Sequence, residues 1–375
     1  MMTEQMKKSG TLDEIKPEYE FWLAGLPIPA GKKYSLRMHM KTAEAVYYIE
    51  ETEISEIRFL TDWERNTIRK AQRTKDLAEA YEESREKGIR FVPWFSREYP
   101  ACLLQIPDFP YALYVKGRLP DGNARRAAIV GARKCTPYRE KYAIEFGRKL
   151  AESGVEVISG LARGVDGMGQ RGALMGKGRT FAVLGSGVDI CYPREHMGLY
   201  VDILDQGGGI LSEYPPGTPP LPRNFPPRNR IISGLSDAVL VMEARVKSGS
   251  LITADLALEQ GRDVYALPGP VNSELSSGCN RLIQQGAGIL LSPEMLLDEW
   301  NLPVPKPGDG ESENKKMLET PENLVYSCLD LYPKDVDRLA KETELSAREL
   351  ISVLVSLELQ GYIKELSKNH YIRVK

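Results

Sequence analysis

The stretch "AVLVMEARVKSGSLITADLALEQGRDVYALPG", residues 238–269, decides the fold. It opens on a short apolar run, AVLVMEA (238–244). A turn bearing serine and glycine follows, then a helical stretch, then a second run, DVYALPG (263–269). Continuous apolar runs that end in Gly or a polar residue are how strands buried on both faces read. A helix-length segment between two of them is a crossover in a parallel sheet. The same pattern extends outward to AAIVG (127–131), VEVISG (155–160), TFAVLG (180–185), GILSEY (209–214) and GAGILL (286–291). The expectation is a doubly wound α/β sheet over residues 91–300.

The flanks differ in texture. Residues from about 15 to 90 are charged, with apolar residues three and four apart, and predict a helical N-terminal domain over 1–90. "ERNTIRKAQRTKDLAEAYEESREKG" reads there as one solvated helix. "NLPVPKPGDGESENKK" (301–316) is rich in Pro, Gly and charge and reads as a linker. Residues 317–375 predict three helices and a short hairpin, with "DVDRLAKETELSARELISVLVSLELQGYI" as a helix-turn-helix and "IKELSKNHYIRV" as a wing.

Composition narrows the function. The 375 residues are too many for one small core and carry a formal net charge of -2, so any nucleic-acid binding must come from a local patch. No apolar run reaches transmembrane length, and the N-terminal stretch lacks the apolar core of a signal peptide. The five cysteines form no CxxC pair, and the three histidines form no HExxH. These features predict a cytoplasmic protein with no metal and no cofactor.

In an open α/β sheet, ligands gather at the C-terminal ends of the strands. The special residues sit there. Gly131, Arg133 and Lys134 follow the first run; Gly160, Arg163, Gly164 and Asp166 the second; Gly185, Ser186, Gly187 and Asp189 the third. Ser248, Gly249, Ser250 and Thr253 follow the fifth, where they could cap a helix and hold a phosphate. From Gly122 to Leu235 there are sixteen Lys/Arg against ten Asp/Glu, a local excess that suits a phosphate-tracking surface. "NFPPRNRIISG" (224–234) reads as a helix starting near Arg228, with Arg228, Asn229 and Arg230 in its first turn, where a bound anion would offset their opposition to the helix dipole. The alternative is that Arg228 and Arg230 pair with internal carboxylates such as Glu213 or Glu243. Asp166 and Asp189 could form a carboxylate pair, or cap helices and orient Arg163. With no Walker A loop and no placed base, the site reads as binding rather than catalysis. Tyr138, Tyr192 and Phe225 are candidate stacking groups.

"IVGARKCTPY", "ISGLARGVDG", "FAVLGSGVDICYP", "ILSEYPPGTPPLPRNFPPRNRIISGLS", "VLVMEARVKSGSLITADLALEQGRDVYALPG" and "GCNRLIQQGA" together resemble the DprA/Smf family of DNA-processing proteins over about residues 95 to 295. The resemblance implies an extended Rossmann-like core between a small helical domain, SAM-like or helix-hairpin-helix-like, and a winged helix. It implies a mediator that binds single-stranded DNA without sequence preference, protects it and loads RecA onto it during natural transformation. Single-strand-binding protein is a further candidate partner, and a homodimer through the core is implied. It places DNA or phosphate contacts on Arg133, on Lys177 or Arg179, and on Arg228 and Arg230; Asn224, Phe225 and Asn229, in the same stretch, complete the candidate set.

The chain departs from the family pattern at Ala132, Gln170 and His196, where the family usually has Ser, His and often Asn. The C-terminal segment resembles the family's winged helix, yet Lys315–Lys375 holds ten Lys/Arg and ten Asp/Glu. That balance favours a protein-interaction or regulatory module over duplex binding. Two other readings of the core stand beside the mediator. One is an enzyme akin to nucleotide N-glycosidases, against which "KSGSLITADLALE" lacks the paired glycines of those relatives. The other is a nucleotide sensor.

Overall fold

The structure, a computed structural model, describes residues 16–74, 76–304, 320–329, 333–343 and 345–374. The N-terminal part is a bundle of short helices: α1 (Pro17–Gly25), α2 (Ala30–Met40), α3 (Ala43–Tyr47), α4 (Glu51–Glu56), α5 (Asp62–Ala71) and α6 (Leu77–Glu86). Trp22, Leu23, Leu36, Val46, Ile54 and Ile68 fill its core. The single helix expected over 64–88 is in fact two. α5 begins on a Thr61/Glu64 capping box, and Asp76 (φ 68) lies in the left-handed region ahead of α6.

The central part is a nine-stranded sheet. Its strands are β1 (Arg90–Pro93), β2 (Ala112–Gly117), β3 (Arg126–Val130), β4 (Glu156–Ser159), β5 (Thr180–Val183), β6 (Gly209–Ser212), β7 (Ala238–Val241), β8 (Asp263–Ala266) and β9 (Gly288–Ile289). Their order is β1-β2-β6-β5-β4-β3-β7-β8-β9. Each of the seven sequence candidates holds one of the strands β3 to β9, and these pair in parallel. β1 and β2, which the apolar-run criterion passed over, join antiparallel at one edge. The chain runs outward from β3 to β6, then returns to place β7 on the other side of β3. That reversal opens a crevice between the C-terminal ends of β3 and β7.

Crossover helices cover the sheet: α7 (Pro137–Glu152), α8 (Val165–Met175), α9 (Met197–Asp205), α10 (Phe225–Leu235), α11 (Gly249–Glu259) and α12 (Ser277–Gln284), followed by α13 (Pro293–Glu299). Thr136 caps α7, with Pro137 at its first position. α7 and α8 meet backbone to backbone. A Cβ on Gly172 would overlap the Ile144 carbonyl, and one on Gly147 would overlap that of Gly169. Neither backbone can yield without parting the helices. Gly172→Ala is expected to destabilise the core by about 3 kcal/mol, at the upper end of overpacking costs, in a urea titration.

The C-terminal part has its own small core of Val325, Leu329, Leu339, Leu350, Leu354, Leu357 and Ile363. It comprises α14 (Thr320–Cys328), β10 (Lys334–Asp335), α15 (Val336–Thr343), α16 (Ala347–Leu359), β11 (Ile363–Ser367) and β12 (His370–Arg373), with strand order β10-β12-β11. This is a winged helix, with α16 in the recognition-helix position. Of the expected linker, residues 305–316 lie outside the described residues. No described helix is long and apolar enough to cross a membrane.

Candidate nucleic-acid interface

A cavity of about 450 Å³ fills the crevice at the reversal point. Five strand-end loops wall it. Gly131 and Arg133 follow β3, Ala162 and Asp166 follow β4, and Tyr192 follows β5. Pro220, Pro222, Phe225, Pro226, Arg228 and Asn229 follow β6, and Ser248, Gly249, Ser250 and Thr253 follow β7.

α10 begins at Phe225, three residues before the expected start near Arg228. Pro226 and Pro227 therefore sit inside the first turn, where a helix needs no N–H and a fixed φ helps. Arg228 falls one step deeper and is 4% exposed. Its Nη1 donates to the carbonyls of Gly160 (3.0 Å) and Val183. Gly160 must lack a side chain, because a Cβ there would stand 2.7 Å from the guanidinium. The Nε is buried and has no acceptor among the described residues. Burial pushes the group down to about 10, while Asp166 pulls it back up, so it remains a cation at neutral pH.

Asp166 is equally enclosed. Its Oδ2 accepts from Gly160 N at 3.1 Å. Burial raises its pKa, opposed by the Arg228 charge and by backbone N–H groups. Asp189 instead accepts from Gly217 N at 2.9 and 3.0 Å. Neither acid orients Arg163, which is held by Glu195 at 2.6 and 2.8 Å in an exposed pair. Among the described residues, no His, Cys, Asp or Glu cluster could hold a metal.

Arg133 is exposed and lies 5.5 Å above the Phe225 ring; Arg228 lies 5.9 Å from the same ring. Two cations thus converge on one aromatic ring. Neither Arg133 nor Lys134 has a carboxylate partner among the described residues. Tyr192 packs beside Phe225, centroids 5.7 Å apart, so two of the three stacking candidates meet at the cavity. Tyr138 does not line it and stacks on Tyr142 at 4.6 Å. Ser248 is the N-cap of α11; its Oγ accepts from Ser250 N and lies 2.8 Å from Ser250 Oγ.

Other sequence candidates stand apart from the cavity. Arg230 turns away, grips Glu213 at 2.7 and 2.8 Å, and donates to Asp108 O at 2.8 Å. That is the internal pairing weighed as an alternative. Lys177 and Arg179 precede β5, so they lie at the N-terminal edge of the sheet, opposite the cavity. Arg179 pairs there with Glu156 at 2.9 Å. Asn224 is buried and donates to Gly185 O at 3.1 Å. A Cβ on Gly185 would press the Phe225 ring at 2.8 Å, and one on Gly187 would approach Asp189 and Pro215. Gly160 and Arg163 line a small side chamber with Arg133 and Arg228.

Of the departures from the family pattern, His196 bonds Leu161 O at 3.0 Å and Gln170 bonds Phe181 O at 3.2 Å. Both are buried outside the cavity wall. The proline walls Pro220 and Pro222, and Ile252 opposite, are cavity residues that sequence reasoning did not single out. Their signal was the run of prolines between β6 and α10.

Residues 90–301 match the family model described as DNA recombination-mediator protein A, and residues 311–368 that of the DprA winged helix domain. Protein Smf of Escherichia coli (strain K12) is 39% identical over 321 residues, covering 82% of this chain and 85% of that protein. DNA processing protein DprA of Bacillus subtilis (strain 168) is 42% identical over 216 residues, covering 57% and 72%. The X-ray structure of DNA processing protein A from Streptococcus pneumoniae superposes with a TM-score of 0.66 at 32% identity, covering 76% of this chain and 98% of that one. DNA processing protein A from Helicobacter pylori, reported for its single-stranded DNA binding mode, gives 0.51 at 30% identity, covering 57% and 95%.

Proposed function

The chain belongs to the DNA recombination-mediator protein A family, DprA/Smf, and on that premise we propose that it binds single-stranded DNA at the reversal-point cavity and passes it to RecA. The observation that carries this reading is the convergence of Arg133 and Arg228 on the Phe225 ring, at a cavity also lined by the N-terminus of α11. Two cations against one buried carboxylate leave a positive balance, which a backbone phosphate satisfies. Tyr192 and Phe225 offer a face to any base, so sequence preference should be small. Members of the family are not enzymes, and Asp166 is tied to Gly160 N rather than free to move protons.

The core over 91–300 would make the DNA contact and pair with a second copy, and the helical domain over 1–90 would support it. The winged helix over 317–375 suits a protein partner better than duplex DNA. Its α16 exposes Ile351, Val355 and Leu359 at successive four-residue steps, an apolar stripe where a phosphate-contacting helix needs cations.

Anisotropy of a labelled oligo(dT) tests the reading. With Arg133 and Arg228 each neutralising one phosphate, log affinity should fall against log salt with a slope of about -1.4, and Arg133→Ala should flatten it by about 0.7. Arg179→Ala should leave both affinity and slope unchanged. Affinity indifferent to salt between roughly 50 and 200 mM would sink the proposal.

A further inference from the structure

The cavity is a compartment rather than a track. Grooves that follow a single strand set out successive aromatic platforms. Here the two rings at the cavity, Tyr192 and Phe225, stand side by side and serve one base. A volume of about 450 Å³ lies near the small end of sites for small ligands, roughly 300–1,000 Å³. It has room for one nucleotide.

The polar groups ask for more charge than a chain-internal phosphate brings. α11 presents its N-terminus with Ser248 and Ser250 hydroxyls, and nothing lies within 4 Å of where a Gly249 Cβ would stand, so the helix end is open to approach. Arg228, 96% buried by its 4% exposure, has an Nε without an acceptor among the described residues. A buried donor left unmet is costly, and an anionic oxygen relieves it. An internucleotide phosphodiester carries one negative charge. A phosphomonoester carries about -1.5 to -2 near neutrality and gains more from the helix end and both guanidiniums.

We propose that the cavity selects a nucleotide bearing a 5′-phosphomonoester, free or at a DNA 5′ end, over a chain-internal nucleotide. The inference rests on the DNA-binding reading of the same cavity. A free nucleoside monophosphate then competes with DNA for it and links DNA retention to the nucleotide pool.

Calorimetric titration of the full chain with dTMP, thymidine and inorganic phosphate tests this, beside anisotropy of 5′-phosphorylated and 5′-hydroxyl oligo(dT). The expected result is dTMP binding at least tenfold tighter than thymidine or phosphate, with displacement of the 5′-hydroxyl oligonucleotide. If the gain appears only for the 5′-phosphorylated oligonucleotide, the monoester is read at a DNA end. Gly249→Asp supplies the control. It places a carboxylate in open space at the first position of α11, where the helix dipole favours it, so the thermal midpoint should hold or rise while monoester affinity falls at least tenfold. Salt-sensitive binding of both oligonucleotides alike, with dTMP no better than thymidine, overturns the inference and leaves the DNA reading standing. If dTMP binds and no oligonucleotide does, the DNA reading fails and the monoester site remains.

Discussion

Arg228→Ala should lower the free energy of unfolding by about 3–5 kcal/mol, the range for removing one partner of a buried charge arrangement. The loss comes from what stays behind. Asp166 loses the cation that offsets its burial, and the carbonyls of Gly160 and Val183 lose their donor. Adding Asp166→Asn should return part of the loss, because the uncompensated charge is then gone. A urea titration with unchanged slope would measure both. Under conditions where Arg228→Ala is still folded, oligo(dT) affinity should drop at least tenfold, or about 1.4 kcal/mol. Full affinity in that folded variant would assign the arginine to the scaffold alone.

Arg230→Ala should separate stability from binding. Its guanidinium holds Glu213 in a two-pronged pair, with side-chain exposures of 10% and 15%, and reaches Asp108 O as well. Removing it should cost about 3 kcal/mol. A double-mutant cycle with Glu213→Gln should return a coupling of about 1.5–3 kcal/mol. Oligo(dT) affinity should stay within about twofold, since a surviving site loses no contact. A large loss of binding with a small loss of stability would return Arg230 to the cavity.

β3 to β8 were legible because burial writes itself as uninterrupted apolar residues; β9, an edge strand with Ile289 45% exposed, was marked by the run GAGILL all the same. β1 was not: "RFVP" sits on the sheet edge, half exposed, and carries too little pattern. The break between α5 and α6 was equally silent, because Gln72–Asp76 contains neither Gly nor Pro. At the site, the turns after β3, β4 and β7 contribute to the cavity wall, while Gly185, Ser186, Gly187 and Asp189 after β5 do not line it. The edge of the sheet was legible too, though the family likeness pointed past it. Lys177 and Arg179 come before a strand rather than after one, which in a parallel sheet means the opposite edge. Arg228 and Arg230 look equivalent in one dimension, and only the packing of α10 tells them apart.

That packing has an evolutionary reading. Residues two apart on a helix point roughly 200° from each other, so the motif Arg-Asn-Arg answers to two neighbourhoods. Arg228 is tied to Asp166 and the strand ends, and Arg230 to Glu213 and the connection between β1 and β2. Selection therefore acts on the pair through separate channels. In related chains, substitutions at 230 should travel with those at 213, while 228 should change with 166 or not at all. A stretch read as one signature is then two characters inherited side by side.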